Sequence, residues 1–416
     1  MAAGTVGNSE PIERAFRDEW GAIVATLARR LGDLQAAEDA AAEAFAAAAD
    51  AWARDGIPPK PGGWLMLTAW RKAVDAHRRD SPAIVIDPRA LSEAEMTGSM
   101  EPTGEATSLG DERLGLIFAC CHPALAPETR VAMTLRFVAG LTTREIAAAF
   151  LVPEATLAQR LVRAKRKIRE AGIRLDVPDA RRLGERLSAV QTVVYLVFNE
   201  GYSASSGNQV IRAELCDEAL WLGRLLHRLL PRDAETAGLL ALMLLHQARA
   251  SARADERGRP RTLAEQDRSM WDKGLIAEGT AVLDAAITER SPGPYQVQAA
   301  IAALHTCAAR YADTDWQQIA LLYGELARMD PSPVVEVNRA VAVGMADGPL
   351  AGLGVLDPLL ASGELQGYTP LYAALADLLD RAGYPERSRQ AWQRAAALAG
   401  NTTVADEIRQ RYLEDP

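Results

Sequence analysis

The sequence predicts an all-α protein, and three observations carry that expectation. Hydrophobic residues make up 49% of the 416 residues, and Ala and Leu dominate them, which favours helices over sheets. Apolar residues fall on one helical face in segment after segment. Pro153, Pro294, Pro333 and Pro370 stand where a first helical turn accepts Pro. The length suits two or three domains with their own cores. We read two small helical domains, the second with a helix-turn-helix, followed by a C-terminal helical-repeat domain. No apolar run reaches transmembrane length and no signal peptide precedes Trp20, so a cytoplasmic protein with no membrane contact is expected. Cys120, Cys121, Cys216 and Cys307 make no disulfide framework, which fits a reducing compartment.

Residues 1 to about 10 read as a loose tail. Residues 13–31 read as a first helix with Phe16, Trp20, Ile23, Val24 and Leu27 inward. Residues 36–52 form a second, Ala-rich helix, which Asp39, Glu43 and Asp50 make acidic and which Phe45 and Trp52 anchor. Such a face suits a protein partner, although a plain solvated helix has the same composition. A Pro/Gly segment follows, then a third helix over residues 64–79. Its apolar residues are Trp64, Leu65, Leu67 and Val74, and its cations are Arg71, Lys72, His77, Arg78 and Arg79. Trp64 and Trp70 beside these cations suit single-stranded nucleic acid, because bases stack on aromatic rings while phosphates meet Arg and Lys. The alternative places both rings in the core, and for Trp64 that alternative is preferred. Residues 81–112 hold seven acids against one base, Arg89, and read as an acidic flexible linker. Such a tether lets two DNA-facing modules occupy well-separated sites.

The sharpest signal lies in residues 141–174. Thr142 and Thr143 are candidate N-caps, and Glu145 stands at capping-box spacing from Thr142. Leu151, Val152 and Pro153 break the pattern. Leu157, Leu161, Val162, Ala164 and Ile168 give the next helix its inward stripe, and Thr156, Gln159, Arg160 and Arg163 lie on or beside the opposite face. Residues 156–169 contain six bases (Arg160, Arg163, Lys165, Arg166, Lys167, Arg169) and no acid, on a chain of net charge -9. Such a reversal of sign is costly unless an anion meets it. The pattern is that of a helix-turn-helix whose second helix enters the major groove. Cys120, Cys121 and His122 offer metal-ligand atoms, but no second cluster has zinc-site spacing, so no metal is expected.

From residue 175 onward, 24 bases face 32 acids, a poor composition for binding DNA. Residues 187–202 read as a long apolar helix with Gly201 as its C-cap. Asn199, Glu200 and Tyr202 either line a small-molecule pocket or tie down the next loop. Residues 212–230 and 234–250 read as two antiparallel helices, residues 249–261 as a charged loop, and residues 262–272 and 275–287 as further helical pattern. Pro294, Pro333 and Pro370 then open helices at spacings of 39 and 37 residues. Tyr372, Ala376, Leu379, Trp392 and Ala395 sit where a tetratricopeptide repeat places its interlocking residues. Stacked repeats leave a concave surface for a protein partner. No phosphate loop, nucleophile elbow or paired-His motif is present, and the five histidines are scattered, so neither enzyme activity nor a cofactor is expected.

The motifs together resemble a known family. AEDAAAEAFAAA, WLMLTAWRKAVDAHRR and the stretch from DERLGLIFACCHPAL to RAKRKI are similar to extracytoplasmic-function sigma factors of the sigma-70 family. The likeness is to the subgroup with a long tetratricopeptide-like extension. It departs from the family at Ala42, where Gln is usual, and at Ala69-Trp70-Arg71, where Ala-Arg-Asn is usual. The resemblance implies sigma region 2 over residues 10–80, the linker over 81–112 and sigma region 4 over 113–174. The extension would occupy 175–290 and the repeats 291–416. It implies core RNA polymerase as partner of Asp39, Glu43 and Phe45. It implies minus-ten promoter DNA for Arg71, Lys72, Arg78 and Arg79, and minus-thirty-five DNA for Thr156, Gln159, Arg160 and Arg163. Lys165, Arg166 and Lys167 would grip phosphate or polymerase. The runner-up is a dimeric helix-turn-helix regulator with a ligand-sensing helical domain.

Overall fold

The structure, a computed structural model, describes residues 9–80, 107–150, 152–205 and 207–414. Among these the fold is all-α, and the only β features are isolated bridges. The chain forms two compact units, Met1–Val194 and Tyr195–Pro416.

The first unit opens with α1 (Ser9–Leu31), α2 (Leu34–Asp55) and α3 (Pro61–Asp80). Gly32, at φ 67, turns the chain after α1, and Asp33 caps α2 by accepting from the amides of Gln35 and Ala36. Trp20, Ile23, Val24 and Leu27 are buried as the apolar spacing of α1 requires. The next helices are α4 (Thr107–Cys120), α5 (Pro127–Phe137), α6 (Thr143–Ala149) and α7 (Glu154–Glu170). Thr142 and Glu145 form the expected capping box: the Thr142 amide donates to Glu145 Oε2 at 2.7 Å, and the Glu145 amide to Thr142 Oγ1 at 3.1 Å.

The linker expectation is corrected at its end. Residues 107–112 are helical, and Glu112 is buried, accepting from Thr26 Oγ1 at 2.6 Å and pairing with Arg29 at 3.2 Å. An acid counted as linker charge is therefore a core contact between α4 and α1. Residues 81–106, and the tail before residue 9, lie outside the described residues. A second correction concerns the two modules, which pack directly on one another. Gly21 of α1 lies so close to the end of α5 that a Cβ there would stand 2.6 Å from the Val138 carbonyl oxygen, so any larger residue forces the helices apart.

In the second unit, α8 (Ala180–Tyr202), which begins in the first unit, leads to α9 (Ala213–Leu229) and α10 (Ala234–Gln247). Gly201 does not end α8. It lies within the helix, where a Cβ would meet the Cys216 amide nitrogen at 2.7 Å, so its role is close packing against α9. Residues 262–272 are not an α-helix; only a 3-10 turn, Arg268–Met270, forms there. Then come α11 (Lys273–Thr288), α12 (Pro294–Cys307), α13 (Trp316–Met329), α14 (Pro333–Ala346), α15 (Pro349–Ser362), α16 (Thr369–Arg381), α17 (Pro385–Leu398) and α18 (Thr402–Tyr412). Pro294, Pro333 and Pro370 open helices as expected, and Pro349 and Pro385 do the same between them. Ala376 and Leu379 pack with Ala391, and Ala395 packs with Ile408, so each helix buries its stripe on its neighbours.

Candidate nucleic-acid interface

Helix α7 presents three faces, which its spacing fixes. Leu157, Leu161, Ala164 and Ile168 are buried against the rest of the helix-turn-helix. Thr156, Gln159, Arg160, Arg163 and Lys167 follow one another at i, i+3, i+4, i+7 and i+11 and line an open groove with Leu125, Ala126 and Thr129. Thr156, Gln159 and Arg163 are exposed, and among the described residues no carboxylate lines the groove beside them. A cationic, hydrogen-bonding helix face of this kind is suited to base edges and phosphates in a major groove. Lys167 also donates to the Ala124 carbonyl, which fixes its stem at the groove edge.

The third face turns toward the first module. Val162, Lys165 and Arg169 border a cleft with Asp33, Leu34 and Gln35. Val162, expected inward, is 60% exposed, because it falls on this side of the helix and not on the buried stripe. Lys165, expected at DNA phosphate, instead donates to Glu38 Oε2 at 2.8 Å. The other oxygen of Glu38 accepts from Arg136 Nε at 2.7 Å. All three side chains are largely buried, at 11% exposure for Glu38, 16% for Arg136 and 15% for Lys165. Trp20 Nε1 donates to the Arg136 carbonyl at 3.2 Å, and the Arg136 guanidinium lies 5.4 Å from the Trp20 ring centroid. Arg169 pairs with Asp33 at 3.6 Å, whereas Arg166 pairs within its own helix with Glu170 at 3.5 Å.

Glu38 was missed by the sequence reading, although a signal existed. It shares the inward stripe of α2 with Ala41 and Phe45, where a carboxylate is out of place unless a cation meets it. Phe45 is also corrected: it is 6% exposed and tilts against Phe16 at 4.8 Å between ring centroids. Its ring therefore belongs to the core and is not available to a partner. Asp39, Glu43 and Asp50 do form an exposed acidic stripe on α2. Glu43 pairs at 3.3 Å with Lys72 of α3.

On α3, Arg71 and Arg78 are exposed, while the side chains of His77 and Arg79 lie outside the described residues. Trp70 is 2% exposed, with the Arg30 guanidinium 5.7 Å from its ring centroid, so it does not offer a stacking surface. Trp64 is half-buried, edge-on to Trp52 at 5.7 Å. Cys120 and Cys121 are buried, and burial pushes the Cys121 thiol up to about 11. The described residues contain no group of three metal-ligating side chains. No described helix is long and apolar enough to cross a membrane.

Comparison with known proteins gives three family matches. Residues 16–82 match sigma-70 region 2, residues 116–168 match sigma-70 region 4, and residues 186–287 match a family of unknown function (DUF6596). An uncharacterized protein of Rhizobium meliloti (strain 1021) is 44% identical over 390 residues, covering 92% of this chain and 90% of the relative. No solved structure matches.

Proposed function

The chain belongs to the sigma-70 family of RNA polymerase sigma factors, and from that membership we propose that it is a cytoplasmic, extracytoplasmic-function type of sigma factor with a tetratricopeptide-like extension. Its two sigma regions imply binding to core RNA polymerase and to promoter DNA. The observation that carries the finer reading is the open face of α7, where Thr156, Gln159, Arg160, Arg163 and Lys167 stand together at a solvent groove. In this reading that face reads the minus-thirty-five element. Arg71, Lys72, Arg78 and Arg79 on α3 engage the minus-ten element, and Asp39 and Glu43 meet polymerase. Lys165 and Phe45 serve the packing of the modules.

The packed modules suit a resting form. The two promoter elements lie about 25 base pairs apart, roughly 85 Å at 3.4 Å per pair. Two modules joined through Glu38, Arg136 and Lys165 cannot span that distance, so they separate on the promoter. The reading face of α7 and the acidic stripe of α2 stay open in the packed form, so either module can engage before the other lets go.

The helical extension supports activity in this reading, as an integral part of the factor. In vitro transcription with core polymerase tests the proposal: the full chain alone confers promoter-specific initiation, and truncation after Val177 sharply lowers it. A chain that stimulates only polymerase already carrying another sigma factor is instead a helix-turn-helix regulator.

A further inference from the structure

The second unit holds a cluster of buried and half-buried cations with no carboxylate paired to them among the described residues. Arg249 follows the C-terminus of α10, Arg253 follows the next turn, and Arg268 opens the 3-10 turn before α11. Arg249 is 9% exposed and donates to Tyr202 Oη at 2.7 Å. Arg253 stacks on the Tyr202 ring at 3.5 Å and donates to the Tyr202 carbonyl. Arg268 donates to the carbonyls of His305 and Ala308, both at 2.6 Å, at the C-terminus of α12. Among the described residues none of the three forms a salt bridge; the acid that acts on Arg268, Asp313, is taken up by Arg310 at 2.8 Å.

The helix C-termini offset part of this charge, but not the donors left over. Arg249 Nε, Arg268 Nη2 and Trp271 Nε1 are buried without a hydrogen-bond partner, as are the Nδ1 atoms of His246 and His305. These residues are one group. Arg249 and Arg268 lie 5.8 and 4.6 Å from the centroid of the same Trp271 ring. Burial, and after it the Arg249 charge, lowers the titration of both His246 and His305. Buried donors are ordinarily satisfied and buried charges ordinarily paired. Three of these atoms, Arg249 Nε, Arg268 Nη2 and Trp271 Nε1, can only donate, so the group is short of acceptors and suits an acceptor-rich anion. An open groove of about 530 Å³, within the range of small-molecule sites, reaches the Arg268 and Trp271 side of this group, lined also by Lys273, Ile276 and Cys307.

We propose that this groove binds a small phosphorylated molecule, whose phosphate seats against Arg268 and the Trp271 Nε1–H with Lys273 at the rim. A phosphate monoester fits better than a single carboxylate. It brings nearly two negative charges and three acceptor oxygens, and guanidinium groups bind it with forked hydrogen bonds. The Trp271 face and Ile276 offer apolar contact to the rest of the molecule.

Inorganic phosphate is the probe, and thermal unfolding of the full chain is the readout. Phosphate raises the melting temperature saturably, by about 3 °C at ten times its dissociation constant, while sodium chloride at matched ionic strength and sodium acetate do not. Lys273→Glu, on an exposed residue, weakens the response about tenfold, and Arg268→Met abolishes it with the helical circular dichroism retained. If Arg268→Met does not fold, Lys273→Glu alone decides. Equal shifts from phosphate and chloride overturn the proposal. So does a saturable response to acetate with phosphate inert, or a Lys273→Glu protein that responds as the wild type does. None of these measurements involves polymerase, so they stand apart from the sigma-factor reading.

Discussion

Two groups of buried charge in this protein follow opposite rules. Between the sigma modules, Glu38 is met by Arg136 and Lys165, and Glu112 by Thr26 and Arg29, so each carboxylate has its partners within the chain. In the extension, Arg249, Arg253 and Arg268 crowd together around Tyr202 and Trp271 with no carboxylate among them. A closed set of ion pairs holds two bodies together and lets them part when water or another partner replaces the contacts. An unclosed set leaves stored electrostatic cost that an external anion relieves. The first arrangement therefore suits a latch and the second a receptor.

The largest test breaks the closed set. Glu38→Ala leaves Arg136 and Lys165 desolvated without a counter-ion, a penalty of about 3–5 kcal/mol on the packed form. Separation of the modules relieves it. Small-angle scattering should then report a larger radius of gyration. An unchanged scattering curve with an unchanged melting temperature removes the latch.

The next test uses acid on the unclosed set. Burial, with Arg249 and Arg268 beside it, lowers the His305 imidazole to about 4, and burial with Arg249 and Arg253 lowers His246 well below its ordinary value. Both groups are held neutral in the folded unit and take up a proton when it unfolds. The unfolded chain binds more protons between pH 6.5 and about 4, so stability falls as pH falls through that window. For His305 the loss is on the order of 3 kcal/mol at 1.36 kcal/mol per pH unit. Melting curves across that range check it, and added phosphate should shrink the loss, because a bound anion favours the imidazolium forms. A flat profile from pH 7 to about 4 contradicts the burial of these imidazoles.

Smaller effects sharpen the contrast between the faces of α7. Arg160→Ala or Arg163→Ala should cost about 1–3 kcal/mol in promoter affinity where the side chain makes a bidentate base contact. Lys165→Met should leave base discrimination intact and loosen the modules instead. Binding assays with substituted minus-thirty-five sequences separate the two, and equal loss of discrimination in all three variants merges the faces. The mildest change is Trp392→Ala. The ring stacks on Tyr412 with centroids 3.9 Å apart and planes 5° from parallel, but it is half-buried. The cost should be about 1–2 kcal/mol, below the 3–5 of a fully buried aromatic. Chemical denaturation followed by circular dichroism measures it, and a loss above 4 kcal/mol would mean the last helices depend on this one ring.

Much of the architecture was legible in the chain because its signals are local. Helical periodicity, the Thr142–Glu145 capping box and the opening prolines each act within a few residues, and α6, α7, α12, α14 and α16 begin where those signals stand. The exposed face of α7 was legible for the same reason: residues at i, i+3, i+4 and i+7 share a side of any helix. What tertiary structure alone decided is which charges meet. Nothing near Glu38 in sequence announces Arg136 and Lys165, which are 98 and 127 residues away. Lys165 looked like a phosphate contact because charge pattern gives sign and spacing but not the partner across the fold. Phe45 and Trp70 looked available because an aromatic ring on an amphipathic helix is buried or bare according to what packs against it. The arginine cluster was hidden in the same way. Arg249 and Arg253 read as part of a charged loop, and His246 and His305 as scattered, until helix packing brought them around Trp271 and left their donors without partners. Helix identity is settled over one or two turns of backbone, whereas the fate of a charge depends on desolvation by residues that are distant in the chain.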